Sequence, residues 1–187
     1  MKMSQLGTLL IASCALLGAN QCLAKSAVSY NYAGLQYLSQ NLDDADCSQD
    51  GLSLSGSMAL DSDFFALGSY TDVSGNHNCG SETISLGGGY RTLFGADSSL
   101  YGALSYENTS VDYGHSDSGL IAAVGLRGFY QPNVEAKVEL AHHTAFDGNT
   151  VLSAGIAYWF GKNVAATGDV SLGSDASGIA IGLRMNL

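Results

Sequence analysis

The sequence predicts an all-β chain closed into a transmembrane, antiparallel, up-and-down barrel of about ten strands, with eight as the alternative count. Three observations predict it. From residue 27 onward apolar side chains recur with a period of two, the period of strands rather than helices. The residues between them are mostly Ser, Gly, Ala and Thr, whereas the water-facing side of a soluble sandwich should carry long charged side chains. Past the first two dozen residues no apolar run approaches the ~18 of a spanning helix, although mean hydropathy is +0.12, so any membrane solution must be a β solution.

Composition removes other classes. The chain has 187 residues, with 7 Lys+Arg against 17 Asp+Glu and a formal net charge of −10. Too few cations are present to hold nucleic acid through its phosphates. Gly is 24 and Pro 1, dispersed rather than periodic or clustered, which excludes collagen and disordered linkers.

In chain order, residues 1–24 read as an export signal. Lys2 precedes an apolar stretch from Leu6 to about Ala19, and Cys22-Leu23-Ala24 is a small-residue pattern suited to cleavage after Ala24. A lipoprotein reading through Cys14 has too short an apolar stretch before it. Residues 25–187 then form one domain.

Ten segments follow: 27–38; Leu52 to Leu60; 64–73; Ile84 to Tyr90; Leu100 to Tyr106; Leu120 to Tyr130; Val134 to Leu140; Leu152 to Phe160; Val164 to Leu172; and Ile179 to Leu187. Residues 61–63, 93–99, 131–133 and 161–163 are expected as short turns on one side. Residues 39–50, 74–81, 114–118, 147–149 and 173–176 are expected as longer loops on the other, the asymmetry of a bacterial outer-membrane barrel. Phe65, Tyr90, Tyr130, Tyr158 and Phe160 are expected in an interfacial girdle near the turns. Tyr37, Tyr113 and Phe146 are expected in a thinner one near the loops.

The charges on the small-residue face are mixed in sign: Arg91, Arg127, Lys137 and Arg184 against Glu107, Glu135, Glu139 and Asp169. Enclosed charges must be paired or hydrated, so these eight are expected as a lumen network, its cations in a low belt beside the turns. The belt either braces the barrel or forms a charged constriction. Asp43, Asp44, Asp46 and Asp50, joined by Glu82, Asp112, Asp117, Asp147 and Asp175, make the outer rim acidic and attractive to cations. Asp44-x-Asp46-x-Ser48 is not a calcium loop, because Gln49 stands at the sixth position and Ser55 at the twelfth. Of four cysteines, Cys14 and Cys22 leave with the signal. Cys47 and Cys79 remain as an expected disulfide between the first two outer loops; a metal site using His77 lacks tetrahedral ligand spacing.

The ending Gly182-Leu183-Arg184-Met185-Asn186-Leu187, through Gly182, Met185 and Leu187, resembles the signal read by the outer-membrane barrel assembly machinery, with Leu in place of the usual final aromatic. The order Ser29-Tyr30-Asn31-Tyr32, Asp50-Gly51-Leu52 with Gly56, Gly161-Lys162-Asn163 and Gly168-Asp169-Val170 resembles small proteobacterial outer-membrane barrels. It is most similar to a porin-like family once taken for a secreted quorum factor. That resemblance implies an integral barrel and carries over no catalytic residues.

For an enzyme, His142, His143 and Thr144 are the residues to weigh, with His143 inward above Glu139 and His142 and Thr144 toward lipid. The His-x-Ser arrangement of a barrel lipid deacylase is absent, no serine has a matching base and acid, and no catalytic residue, metal or cofactor is expected. The functional expectation is a porin-like or structural outer-membrane barrel, as a narrow cation-preferring pore for small solutes. A surface adhesin or envelope-stress barrel is the alternative, and a lipid-modifying enzyme stands behind it. The expected surroundings are outer-membrane lipid, lipopolysaccharide and the assembly machinery, with oligomeric state open.

Overall fold

The structure, a computed structural model, describes residues 28–42, 47–75, 79–95, 97–112, 114–174 and 176–187. The export signal, Asp43, Asp44, Asp46, His77, Tyr113 and Asp175 lie outside the described residues.

Ten strands form: β1 (Tyr32–Leu42), β2 (Cys47–Ala59), β3 (Phe64–Gly75), β4 (Ser81–Leu93), β5 (Ser98–Val111), β6 (Ser116–Gln131), β7 (Val134–His143), β8 (Asn149–Trp159), β9 (Val164–Gly173) and β10 (Ala176–Asn186). Each pairs antiparallel with the next, and β1 pairs with β10 over Tyr32↔Asn186 to Leu42↔Ala176, so the sheet is a closed barrel. Ten strands rather than eight is therefore the count. Because ten is even, β1 starts and β10 ends at one rim, here called the lower rim. The turns after β2, β4, β6 and β8 share it.

Alternation then sorts side chains between two surroundings. In β2 Leu52, Leu54 and Met58 point outward and are exposed, while Ser53, Ser55 and Ser57 point inward. The pattern repeats around the wall through Ile84, Leu86, Leu104, Leu126, Val138, Leu140, Ile156, Ile179, Ile181 and Leu183, all outward and exposed. Such a continuous apolar band is unsuited to water and matches the hydrocarbon-facing band of a membrane barrel. Among the described residues no helix is long and apolar enough to cross a membrane; membrane barrels cross with strands.

The interior holds long side chains because facing glycines let them lie flat along the wall. Tyr101 lies over Gly125, Phe65 over Gly89 and Asp169 over Gly155; a Cβ at any of these glycines would overlap the side chain above it. The large inward groups thus run around the circumference instead of filling the axis.

Three expectations need correction. Residues 39–50 are largely strand: β1 and β2 pair up to Leu42↔Cys47, and only 43–46 separate them. The loops at the upper rim are consequently almost as short as the turns below, because polar strand ends go on satisfying their backbone groups by pairing beyond the apolar band. Phe65 leaves the girdle: it points inward and is 4% exposed. Phe64 takes the outward place, stacked edge-on with Tyr90 at 5.3 Å. Lastly, the first strand begins at Tyr32, not residue 27, and residues 28–30 belong to no strand. Tyr130, 82% exposed, shares the outward parity of Leu126 and sits where the β6–β7 register shifts.

At the lower rim Asp61 organises its turn, its carboxylate accepting from Asp63 N and Phe64 N at 2.7 Å each. These two backbone donors hold its carboxyl below the usual aspartate range.

Leu86 is 71% exposed near the middle of β4, so Leu86→Arg should lower stability in lipid vesicles by about 2–4 kcal/mol. Ser85→Ala, one residue away and inward, should cost less than ~1 kcal/mol. Urea titration of refolded barrel checks the difference, and equal costs would contradict the assigned faces.

Candidate functional site in the lumen

The lower lumen is built from alternating rings and cations. The Arg91 guanidinium stands 4.6 Å from the Tyr30 ring centre, and that of Arg127 lies 4.9 Å from the same centre. Arg127 is in turn 5.4 Å from Tyr32, and Arg184 is 5.4 Å from Tyr32 and 4.7 Å from Trp159. Attraction of guanidinium for the electron-rich ring face makes this sequence favourable, more so away from water. Glu135, 2% exposed, clasps two of the three cations: Arg127 Nη2 and Nε donate to its Oε1 at 2.7 and 3.0 Å, and Arg184 Nη2 donates to its Oε2. Tyr30, Phe65, Tyr101 and Val28 form the apolar part of this floor. Trp159, Ala157 and Ala165 form another, with Phe129 packed against both.

Above the floor lies a cavity of about 320 Å³. One wall is hydroxylic, with Ser55, Ser105 and the cross-strand pair Ser69–Ser85 (2.8 Å); the pairs Ser53–Thr71 (2.8 Å) and Thr83–Thr109 (2.9 Å) continue that face nearer the upper rim. The facing wall is charged. Lys137 Nζ lies 3.8 Å from Glu139 and 4.0 Å from Asp169. Each carboxylate is also held by a neutral donor, Glu139 by Tyr101 OH and Asp169 by Gln36 Nε2 at 2.6 Å. A smaller space of about 210 Å³ continues upward, and Gln36, Lys137 and Asp169 border both. These three therefore stand where the two spaces meet.

The eight expected lumen charges all point inward, but they form separate groups rather than one network. Arg127, Arg184 and Glu135 make the buried clasp, and Lys137, Glu139 and Asp169 form a second group. Glu107 instead shares a hydrogen bond with the ring of His143, its Oε2 lying 2.9 Å from His143 Nδ1, so the acid beside His143 is Glu107 and not Glu139. Arg91 contacts carbonyls, donating to Ser62 O at 3.0 Å and Val28 O at 3.4 Å. His142 Nδ1 lies 2.9 Å from Thr150 Oγ1 on the outside, and Thr144 Oγ1 accepts from Leu120 N. His142 and His143 thus engage separate partners on opposite faces of the wall. No cluster able to hold a metal ion occurs among the described residues.

Cys47 and Cys79 are joined in a disulfide. It ties the start of β2 to the segment before β4, and Gln49 Nε2 donates to Cys79 O beside it. Asp50 lies within β2, where its carboxylate accepts from Tyr37 OH at 2.9 Å. At the chain's end Met185 and Leu187 face outward, Gly182 faces inward beside Gln36, and Leu187 N donates to Asn31 O.

Tyr30, Tyr32, Trp159 and Tyr101 are the functional residues that the sequence pattern does not single out. One signal for Tyr30 is present. The outward positions before β1, Ser29 and Asn31, are polar, so the lipid-facing wall cannot begin there.

The sequence matches no protein-family profile and no curated protein. Solved structures share the architecture. An outer-membrane channel from Pseudomonas putida F1 aligns with a TM-score of 0.55 at 9% identity, over 90% of this chain and 100% of the other. The KdgM porin aligns at 0.51 and 13% identity, over 82% and 99%. The β-domain of the Bordetella autotransporter BrkA aligns at 0.50 and 14%, over 83% and 98%. At these identities the likeness is one of fold: the chain has the architecture of small outer-membrane barrels.

Glu135→Gln leaves two guanidinium groups without their anion in a dry site, and should destabilise the barrel by about 3–5 kcal/mol. Lys137→Met, at a partly exposed and loosely spaced pair, should cost no more than ~1 kcal/mol. Urea unfolding of both variants in one lipid tests this, and similar losses would show that the clasp is not the buried element described.

Proposed function

We propose that this chain is an integral protein of the bacterial outer membrane, exported by a cleaved signal peptide, that passes small solutes or ions through its lumen with preference for cations. The observation that carries the reading is a cavity of about 320 Å³, bordered by charged and hydroxyl-bearing side chains, inside a shell whose outer face is apolar. A purely structural barrel would gain from apolar packing along its axis. Here Tyr101, Phe65 and Asp169 lie flat over glycines and leave that cavity beside them. The porin architecture of the solved neighbours supports the same reading. Outer-membrane lipid and lipopolysaccharide would surround such a barrel, and the barrel assembly machinery would insert it.

Cation preference is argued from charge placement. Lys137 stands against Glu139 and Asp169, and Glu107 lies above them, so the upper lumen is net negative while the arginines lie below. Rings of acidic side chains favour cations in a narrow passage, and the acidic upper rim would concentrate them at the mouth. The adhesin alternative is less well supported, since the upper loops are short and offer little surface for a hot spot. The lipid-enzyme alternative lacks, among the described residues, a nucleophile placed beside either histidine's free nitrogen.

In planar bilayers with unequal KCl, openings, however brief, should reverse toward the potassium potential. Replacing Glu139 and Asp169 by Gln and Asn should lower the potassium-to-chloride ratio by about threefold or more. An absence of openings in every variant would sink the passage reading, and an unchanged ratio would remove Glu139 and Asp169 from selectivity.

A further inference from the structure

The segment before β1 does something the barrel wall does not require. Asn31 is fixed at the lower rim, accepting from Ala59 N through its side chain at 2.7 Å and from Leu187 N through its carbonyl at 3.1 Å. The chain before it turns inward instead of continuing the ladder. Tyr30 is 3% exposed: its ring packs on Phe65 at 4.6 Å and edge-on to Tyr101 at 6.1 Å, and its hydroxyl shares a 2.7 Å hydrogen bond with Ser99 Oγ. Both Arg91 and Arg127 approach the same ring. Val28 is buried beside it, with its carbonyl accepting from Arg91.

The walls of this place are held by partners other than the segment. Arg127 is fixed by Glu135, Tyr101 by Glu139, and Arg91 Nε by Ser62 O. Removing Tyr30 would leave a cup with two guanidinium groups, a serine hydroxyl and two aromatic rings already in position. Those groups suit one kind of occupant: an electron-rich ring bearing a hydrogen-bonding group at its far end, carried on a peptide whose carbonyl reaches Arg91. No covalent bond or strand ladder ties residues 28–30 to the cup, so occupation is exchangeable.

We propose that the lower lumen is a docking site for a tyrosyl-bearing peptide segment, and that residues 28–30 occupy it in cis as a stopper of the barrel. The stopper half rests on the passage reading above; the docking half does not.

The test uses a fluorescein-labelled peptide with the sequence of residues 26–31 and three refolded barrels: the full chain after signal removal, the same chain with Val28→Ala and Tyr30→Ala, and a chain starting at Asn31. Folding of each is checked by heat-modifiable gel mobility, and the doubly substituted chain serves if the shortened one does not fold. By fluorescence anisotropy the peptide should bind the emptied cup saturably and the full chain about tenfold or more weakly. A peptide with Tyr30→Ala should bind the emptied cup about tenfold more weakly. In bilayers the full chain should open briefly, the emptied barrel persistently, and added peptide should close it again. Equal binding by full and emptied barrels, or by the two peptides, overturns the docking site. Peptide binding to an emptied barrel whose openings last no longer than those of the full chain supports the docking site and overturns the stopper alone, whereas an absence of openings in both overturns the passage reading with it.

Discussion

Closure of the ladder between β1 and β10 is the constraint on which the other features depend. In hydrocarbon an open edge would expose a row of N–H and C=O groups with nothing to bond, each costing several kcal/mol. Closure removes the edge and forces every residue of every strand to choose between lipid and lumen. That choice explains why Leu54 and Ser55, adjacent in sequence, meet entirely different solvents. It also explains why a chain with so acidic a balance can still be apolar on average: the acids are confined to the interior and the rims, and the apolar residues form one continuous belt.

A closed ring of fixed circumference then limits what the interior can contain. Ten strands enclose more space than small residues fill, and the chain treats the two ends differently. Below, Trp159, Tyr30, Tyr32, Phe65 and three arginines fill it. Above, Gly155 beneath Asp169 takes that side chain off the axis, and volume remains. The lower end is also where the buried clasp of Glu135 with Arg127 and Arg184 lies. A buried ion pair brings little net stability over an apolar replacement, so its presence is better explained by what it positions: two guanidinium planes set where they receive Tyr30, Tyr32 and Trp159.

Period-two patterning makes the strand number, the faces and the inward direction of all eight lumen charges legible, because parity alone decides those properties. Parity and strand direction also place the three arginines low, whereas Lys137, expected in the same belt, reaches up to Glu139 and Asp169. They cannot assign partners. Glu107 and Glu139 both point inward within reach of β7, and only the stagger between β5 and β7 across β6 decides that His143 meets the former. Loop boundaries elude the pattern for a related reason: Ser48, Gln49 and Asp50 are polar and look like loop, yet strand pairing needs only backbone groups and continues above the apolar band. Phe65 is ambiguous because aromatic residues near strand ends suit both a girdle and a plug, and the one-residue difference from Phe64 reverses the face.

Tyr30 shows where one-dimensional pattern reaches its limit. It shares parity with Tyr32 and is inward on either reading, so alternation is silent about whether the chain there is wall or contents. The discriminating feature is the other face: Ser29 and Asn31 could not meet lipid without cost, whereas Leu35 and Tyr37 do so favourably. An inward-facing ring whose neighbours are unfit for the outside belongs to the lumen, and its binding then depends on rings and cations rather than on ladder bonds. Contacts of that kind are individually weak, on the order of 0.5–2 kcal/mol. They hold a short segment in place while leaving the closed wall, which carries the stability, unaffected by its departure.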